Sequence, residues 1–383
     1  MTLSYYSFLM AITWFSVFIL VGDFLRKKTG FLLYYSVGVL LVLIGLSILR
    51  LFLPIEFPFT MVLHSEDIFP VIQAVLTYPI LTLQGFSITI ITPFVAVWAV
   101  GSLRFLVQLI RRLRQDSMVL DTYYEVEDER ARRYLEEIVA STKPGQQYRL
   151  IVSPEIAAPA VVGFWRPTIL LPKTNLDDES LQYFVAHEWR HFLNRDQWIK
   201  LLVDLLHCAL WWNPVLQPLR DNLFQVLEIR CDLGVTRHLD ELKKQNYLLA
   251  IVNALECTNE ANDPVRGVTQ GFWMAGATTK DEAVKQRFEM INKYQHDIKR
   301  DTVVFVAAVL FAFILSYFVV VQPYYPPPAD NVTLSANAGT ERFYIIAHGD
   351  GSYSMMSEGV FVDSIAPEDL SKPPYNALTI IEE

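Results

Sequence analysis

Four apolar stretches constrain this chain more than anything else in it. A helix needs roughly 20 mostly apolar residues to cross a hydrocarbon core about 30 Å thick. Residues 3–25 (LSYYSFLMAITWFSVFILVGDFL), 31–53 (FLLYYSVGVLLVLIGLSILRLFL), 80–103 (ILTLQGFSITIITPFVAVWAVGSL) and 302–321 (TVVFVAAVLFAFILSYFVVV) each meet that requirement. They predict four transmembrane helices, with a kink at Pro93 in the third. A composition of 52% hydrophobic and 19% charged residues, with a mean hydropathy of +0.27, fits a chain that turns much of its surface toward lipid. The first run does not read as a signal peptide, because no basic region precedes it and no small-residue cleavage site follows.

The basic residues then orient the spans. Arg26, Lys27 and Lys28 follow the first run, Arg111, Arg112 and Arg114 follow the third, and Lys299 and Arg300 precede the fourth. Segment 54–79 carries Glu56, Glu66 and Asp67 and no Lys or Arg. Lys and Arg collect on the cytoplasmic side. The expected topology therefore has the N-terminus outside, 26–30 inside, 54–79 outside, 104–301 inside and 322–383 outside. A net charge of −9 offers no basic field for nucleic acid, so direct nucleic-acid binding is not expected. Cys208, Cys231 and Cys257 form no C-x-x-C and fall in the reducing compartment, which argues against a disulfide framework or a cysteine zinc cluster.

The inside segment reads as an α+β domain. DERARRYLEEIVAST is an amphipathic helix stopped by Lys143-Pro144-Gly145, and YRLIVSP is a strand. APAVVGFWRPTILLP is β-rich and punctuated by Gly163, Pro167 and Pro172. Asp177 or Asp178 can cap the next helix. Helical patterns follow to about residue 298. The stretch Pro167–Pro172 is placed either to hold a peptide by strand addition at a sheet edge or as core β structure, and the sequence does not separate the two. The outside tail begins with the extended spacer QPYYPPPAD and continues with β-like runs, RFYIIAH and GVFVDSI, in a segment small for an independent core.

Within the helix after those strands, FVAHEWRHFLNRDQW contains H-E-x-x-H at His187, Glu188 and His191. Histidines four apart share one helix face and can bind one Zn²⁺ through nitrogen. Zinc lowers the pKa of a coordinated water to about 7, and Glu188 is placed as the base that takes its proton. The longer pattern H-E-x-x-H-x-x-G-x-x-H fails, since Asn194 and Gln197 occupy its last two fixed positions. His207, in the apolar WIKLLVDLLHCALWW, reads as a packing histidine; His238 and His296 are the other inside histidines. The better third ligand is Glu228 in EIRCD, with Asp232 on the same face placed to accept a hydrogen bond from a ligand histidine. Asp196 is a second candidate for that support, or a solvated cap beside Arg195. Cys231 reads as a small buried residue.

These marks together resemble the BlaR/MecR family of integral-membrane zinc metallopeptidases, the antibiotic-sensing signal transducers of bacteria. The resemblance covers roughly residues 1–322 and rests on RLFLPIEFP, PAVVGFWRPTILLP, HEWRHFLNRD, WWNP and EIRCD in that order. It implies a mainly α integral membrane protein with four transmembrane helices and a cytoplasmic gluzincin-like zinc metallopeptidase domain between spans three and four. The expected division is 1–103 (three spans), 104–301 (peptidase), 302–321 (fourth span) and 322–383 (extracytoplasmic tail). It further implies His187, His191 and Glu228 as zinc ligands, Glu188 as general base and KQRFEMINKYQHDIKRD as a juxtamembrane helix. The output would be self-cleavage or cleavage of a cytoplasmic repressor. The tail departs from the family's antibiotic sensors: it has no S-x-x-K and not the length of a penicillin-binding domain, so β-lactam sensing is not expected. The competing readings are a constitutive HtpX-like quality-control protease and a non-catalytic membrane sensor whose metal is structural.

Overall fold

A computed structural model of the chain describes residues 5–65, 68–83, 86–120, 128–154, 156, 158–173, 176–260, 280–294, 300–323, 343–349, 351–357, 360–370, 372, 375 and 378–382. Glu66, Asp67, His296, Lys299 and the proline stretch of the spacer lie outside the described residues, as does the side chain of Cys257.

The first apolar run is a single helix, α1 (Tyr5–Arg26). The second breaks into α2 (Thr29–Tyr35) and α3 (Val37–Phe52), bent by 96°. The bend falls at Ser36, whose φ of 77° is left-handed and whose hydroxyl caps α3 by accepting from the Gly38 N–H at 3.3 Å.

The third run departs from its expected bounds. Residues Pro79–Leu83 (β2) and Phe86–Thr89 (β3) form an antiparallel hairpin, and α5 (Ile91–Leu120) begins only after it. The β-branched FSITIIT favours a strand there. Pro93 is therefore no kink: it sits in the first turn of α5, where its missing N–H leaves no helical bond unmade.

The fourth run also ends early. Helix α12 (Arg300–Leu315) gives way to turns at Ser316 and then to β7 (Val319–Pro323), which pairs with β1 (Met61–Ser65). Among the described residues, two helices are long and apolar enough to cross a membrane alone, and the bent α2–α3 pair makes a third.

The helix ends sort into two sets. At one end Tyr6 bonds Gln73 of α4 (Ile68–Thr77), Arg50 stands 4.1 Å from the Tyr317 ring, and Met61 N–H donates to Phe318 O at 2.7 Å. At the other end Tyr34 bonds Asp301, and Tyr35 packs on Phe305 at 4.9 Å. Thus α12 runs parallel to α3 over the same length.

Helix α6 (Glu129–Thr142) is capped by Asp128, which accepts from Arg130 and Ala131 N–H at 3.0 and 3.2 Å. Strands β4 (Arg149–Ser153), β5 (Ala160–Val162) and β6 (Thr168–Pro172) form a mixed sheet in the order β4-β6-β5. Of the two readings of Pro167–Pro172 the structure takes core β structure: β6 is the central strand, parallel to β4 and antiparallel to β5. Its Ile169, Leu170 and Leu171 are all fully buried, the both-face burial of a central strand, and the edges among the described residues are β4 and β5.

The sheet packs against α6 and α7 (Asp178–Leu193) through Leu135, Val139, Ile169, Leu171, Val185 and Trp189. Asp177 caps α7, accepting from Ser180 N–H at 3.1 Å. Next come α8 (Asp196–Ala209), α9 (Leu216–Thr236), α10 (Glu241–Glu260) and α11 (Lys280–Lys293). Two further cores join them to the first helices. Phe15, Ile19 and Ile44 pack with Leu206, Leu219 and Leu223, and Leu32 and Leu40 pack with Val226, Ile229 and Met290. Residues Met1–Gln322 accordingly form one compact unit.

Residues Pro323–Glu383 form a second unit. Its strands β8 (Phe343–Ala347), β9 (Tyr353–Ser357), β10 (Val360–Ile365) and β11 (Thr379–Glu382) make one sheet in the order β10-β9-β8-β11, with a small core of Ile345, Ile365 and Leu378.

Candidate metal centre

His187, Glu188 and His191 are buried on α7, and the helical spacing brings the two imidazoles together. Their Nε2 atoms stand 3.1 Å apart. Helix α9 adds Glu228, with Oε2 at 3.5 Å from His187 Nε2 and Oε1 at 3.3 Å from His191 Nε2. Two donors each about 2.0–2.1 Å from one tetrahedral ion lie about 3.3 Å from each other. The three separations match that figure, so this His/His/Glu set fits a single small cation. The Glu228 side chain remains 34% exposed, which leaves the cluster open on one side.

The α7–α8 corner makes the first support. Arg195 takes a left-handed φ of 58° and turns the chain so that Asp196, fully buried, folds back on His191. Asp196 Oδ2 lies 2.6 Å from His191 Nδ1, and Arg230 pairs with the other oxygen. Asp196 is thus not a solvated cap. Cys231, buried as expected, also places Sγ 3.3 Å from His191 Nδ1.

His187 has a second support. Its Nδ1 is 2.9 Å from Tyr247 OH and 3.3 Å from Asp232 Oδ1. Tyr247 donates to Asp232 Oδ1 at 2.7 Å, and Arg287 donates to both carboxylate oxygens at 2.6 and 2.8 Å. Each Nδ1 thus faces a carboxylate-backed partner, which holds its proton there and turns the Nε2 lone pair toward the other donors.

The charges bear this out. Burial works against a charged imidazole at His187, yet hydrogen bonds to Asp232 and Glu228 push its pKa up to about 10 in the metal-free chain. Burial likewise opposes charge on Glu228, but His191, His187 and Arg287 hold it well below the usual carboxylate range. Asp232 is held low despite burial by Arg287 and His187. A pocket that keeps protons on two buried imidazoles has the negative potential that favours a divalent cation.

The sequence residues His187, His191, Glu228, Asp232 and Asp196 are brought together, and Glu188 is buried next to His187 along α7. His207 stands apart, edge-on to Phe105 at 5.3 Å. Sequence reasoning missed Tyr247, Arg287 and Arg230. Arg230 lies inside the EIRCD motif, and Arg287 inside the juxtamembrane helix; nothing local marks Tyr247.

A family model described as BlaR1 peptidase M56 matches residues 68–291, more than half of the chain and every residue of this centre. The regulatory protein BlaR1 of Bacillus licheniformis is 31% identical over 104 residues, which are 27% of this chain and 17% of that protein. The methicillin resistance mecR1 protein of Staphylococcus aureus is 23% identical over 197 residues, 49% of this chain and 32% of that protein. The matched stretch therefore spans about a third or less of these relatives.

Proposed function

We propose, since this chain belongs to the BlaR1 peptidase M56 family, that it is a zinc-dependent membrane endopeptidase that carries a signal inward by cleaving itself or a cytoplasmic repressor. The observation that carries the reading is the convergence of His187 Nε2, His191 Nε2 and the Glu228 carboxylate beside Glu188. His187, His191 and Glu228 would hold the zinc. When bound, it would polarise the scissile carbonyl and acidify the attacking water. Glu188 takes the water's proton and delivers it to the leaving amine. Asp196 holds the His191 ring, and Asp232 with Tyr247 holds His187. A peptide substrate adds along β5, which among the described residues pairs on one side only.

The same reading has four crossings: α1, the bent α2–α3, α5 and α12. The N-terminus, segment 54–79 and the tail lie outside, and the metal centre lies on the cytoplasmic side. The two sets of helix ends support this arrangement, as do the basic residues at one of them. A signal at 54–79 or at the tail would reach the centre through α12 and α11, which carries Arg287.

The test is terminal-peptide proteomics on membranes carrying the wild-type chain or Glu188→Gln, with a candidate repressor. The variant should retain near-stoichiometric zinc and lose both self-cleavage and repressor cleavage. Processing that continued unchanged would overturn the mechanism.

A further inference from the structure

Helices α8 and α9 are joined by Leu210–Val215, containing WWNP, and this corner packs on the middle of two membrane helices. Asn213 Nδ2 donates to Ser16 Oγ of α1 at 3.3 Å. Trp98 Nε1 of α5 donates to Ala209 O at 2.8 Å, and Trp211 Nε1 to Trp98 O at 3.3 Å. Gly101 of α5 lies so close to Trp211 that a Cβ there would meet the indole at 2.5 Å.

These contacts give two independent depths. At 1.5 Å per residue, Ser16 is about 15 Å along α1 from the basic flank that begins at Arg26. Gly101 is about 15 Å along α5 from the cluster Arg111, Arg112 and Arg114, with the single, exposed Arg104 between them, about 4.5 Å from Gly101 and long enough to reach toward that flank. Half of a hydrocarbon core about 30 Å thick is the same distance. The lower arm is fixed as well: Arg26 bonds Asn222 and Gln225 of α9, so the metal ligand Glu228 is one turn beyond the end of α1.

The hairpin is free of charge for about 9 Å on the α8 side of its corner and about 8 Å on the α9 side, where Asp204 and Arg220 end the run. Leu205–Leu219 contains no Lys, Arg, Asp or Glu. Around Asn213 the corner bonds its own polar groups: Asn213 N–H donates to Leu210 O at 2.7 Å, Leu216 N–H to Asn213 O at 3.3 Å, and the Asn213 side chain accepts from Val215 N–H at 3.0 Å. Backbone in hydrocarbon is tolerated only under that condition. Leu205 and Trp212 are nevertheless 43% and 49% exposed, comparable with Trp98 at 43%. About 18 Å down α8 from Leu210, at headgroup depth, Trp198 forms a cluster with Phe164 and the 76% exposed Trp165.

We propose that the α8–α9 hairpin is a re-entrant membrane insert, with its WWNP corner in the hydrocarbon of the inner leaflet and lipid acyl chains against Leu205 and Trp212. The inference rests on α1 and α5 crossing the bilayer and not on the peptidase chemistry. It places a stretch of 104–301 in lipid and holds the metal centre at the membrane surface.

The test places a photoreactive benzophenone side chain, one site at a time, at Phe94 of α5, Leu205, Trp212 and the exposed Glu241 of α10, in the full chain in phosphatidylglycerol–phosphatidylethanolamine vesicles. Mass spectrometry reads the lipid adducts. Trp212 and Leu205 should give lipid adducts within about threefold of Phe94, with the bond on the acyl chain, while Glu241 gives none above background. Trp212 decides the matter if the larger change at Leu205 disturbs folding. Adducts at Phe94 but at neither hairpin site would overturn the insertion, as would adducts confined to headgroups. Adducts absent at Phe94 too would overturn the membrane reading of α5 and the insertion with it.

Discussion

Asp232→Asn tests how far the metal centre depends on a carboxylate that stands behind a ligand rather than beside the metal. Asp232 is fully buried and accepts from Tyr247 at 2.7 Å and from Arg287 at 2.6 and 2.8 Å, beside His187 Nδ1 at 3.3 Å. Asparagine keeps the volume, removes the charge and offers one acceptor oxygen. Breaking a buried ion pair from one side costs about 3–5 kcal/mol of stability. The lower figure is expected here, because Arg287 also lies 3.5 Å from Glu228 and can shift toward it. Removing the carboxylate behind a ligand histidine typically weakens metal binding 10–100-fold, about 1.4–2.7 kcal/mol. Tyr247→Phe deletes the hydrogen bonds to Asp232 and His187 and should cost about 1–3 kcal/mol. Zinc affinity is read by competition with a chromophoric chelator on detergent-solubilised chain, and stability by thermal unfolding with excess zinc. Since Tyr247 and Asp232 bond each other and share His187 Nδ1 as a partner, the double variant should lose less than the two single losses added. Zinc affinity within twofold of wild type for Asp232→Asn, or strict additivity, would refute the reasoning.

Three further outcomes follow from the same geometry. In the chelator-treated chain the pKa of His187 is raised from 6.5 to about 10, so its contribution to stability is complete below pH 6.5 and is lost as pH rises to about 10. The unfolding temperature of the metal-free chain should therefore fall across that window, and a flat profile there would count against the pairing. Gly101→Ala puts a methyl against Trp211 and should cost about 1–3 kcal/mol in thermal unfolding by forcing α5 away from the α8–α9 corner; an unchanged midpoint would deny the contact. Gly163 has φ +103° and stands 2.6 Å, from an ideal Cβ, to Arg166 O. Gly163→Ala should destabilise the β5–β6 turn by roughly 1–3 kcal/mol, measured the same way.

The local periodicities of the sequence already contain much of the molecule. Apolar runs marked α1, α3, α5 and α12, because the need to bury or solvate each side chain in lipid acts residue by residue. The four-residue spacing of His187 and His191, and of Glu228 and Asp232, placed each pair on one helix face for the same local reason. Tertiary structure decided the partners. Nothing near Tyr247 or Arg287 distinguishes them from surface residues, because their role depends on α10 and α11 packing beside α7 and α9. The strand Pro167–Pro172 could be read as edge or core and is the centre, since strand order is set by which neighbours bury it and not by its own residues. The apolar face of α8–α9 was legible as apolar, but an apolar face is the same against protein or lipid. Only the contacts of Asn213 with Ser16 and of Trp211 with Trp98 gave it a depth, because depth is a relation between elements far apart in the chain.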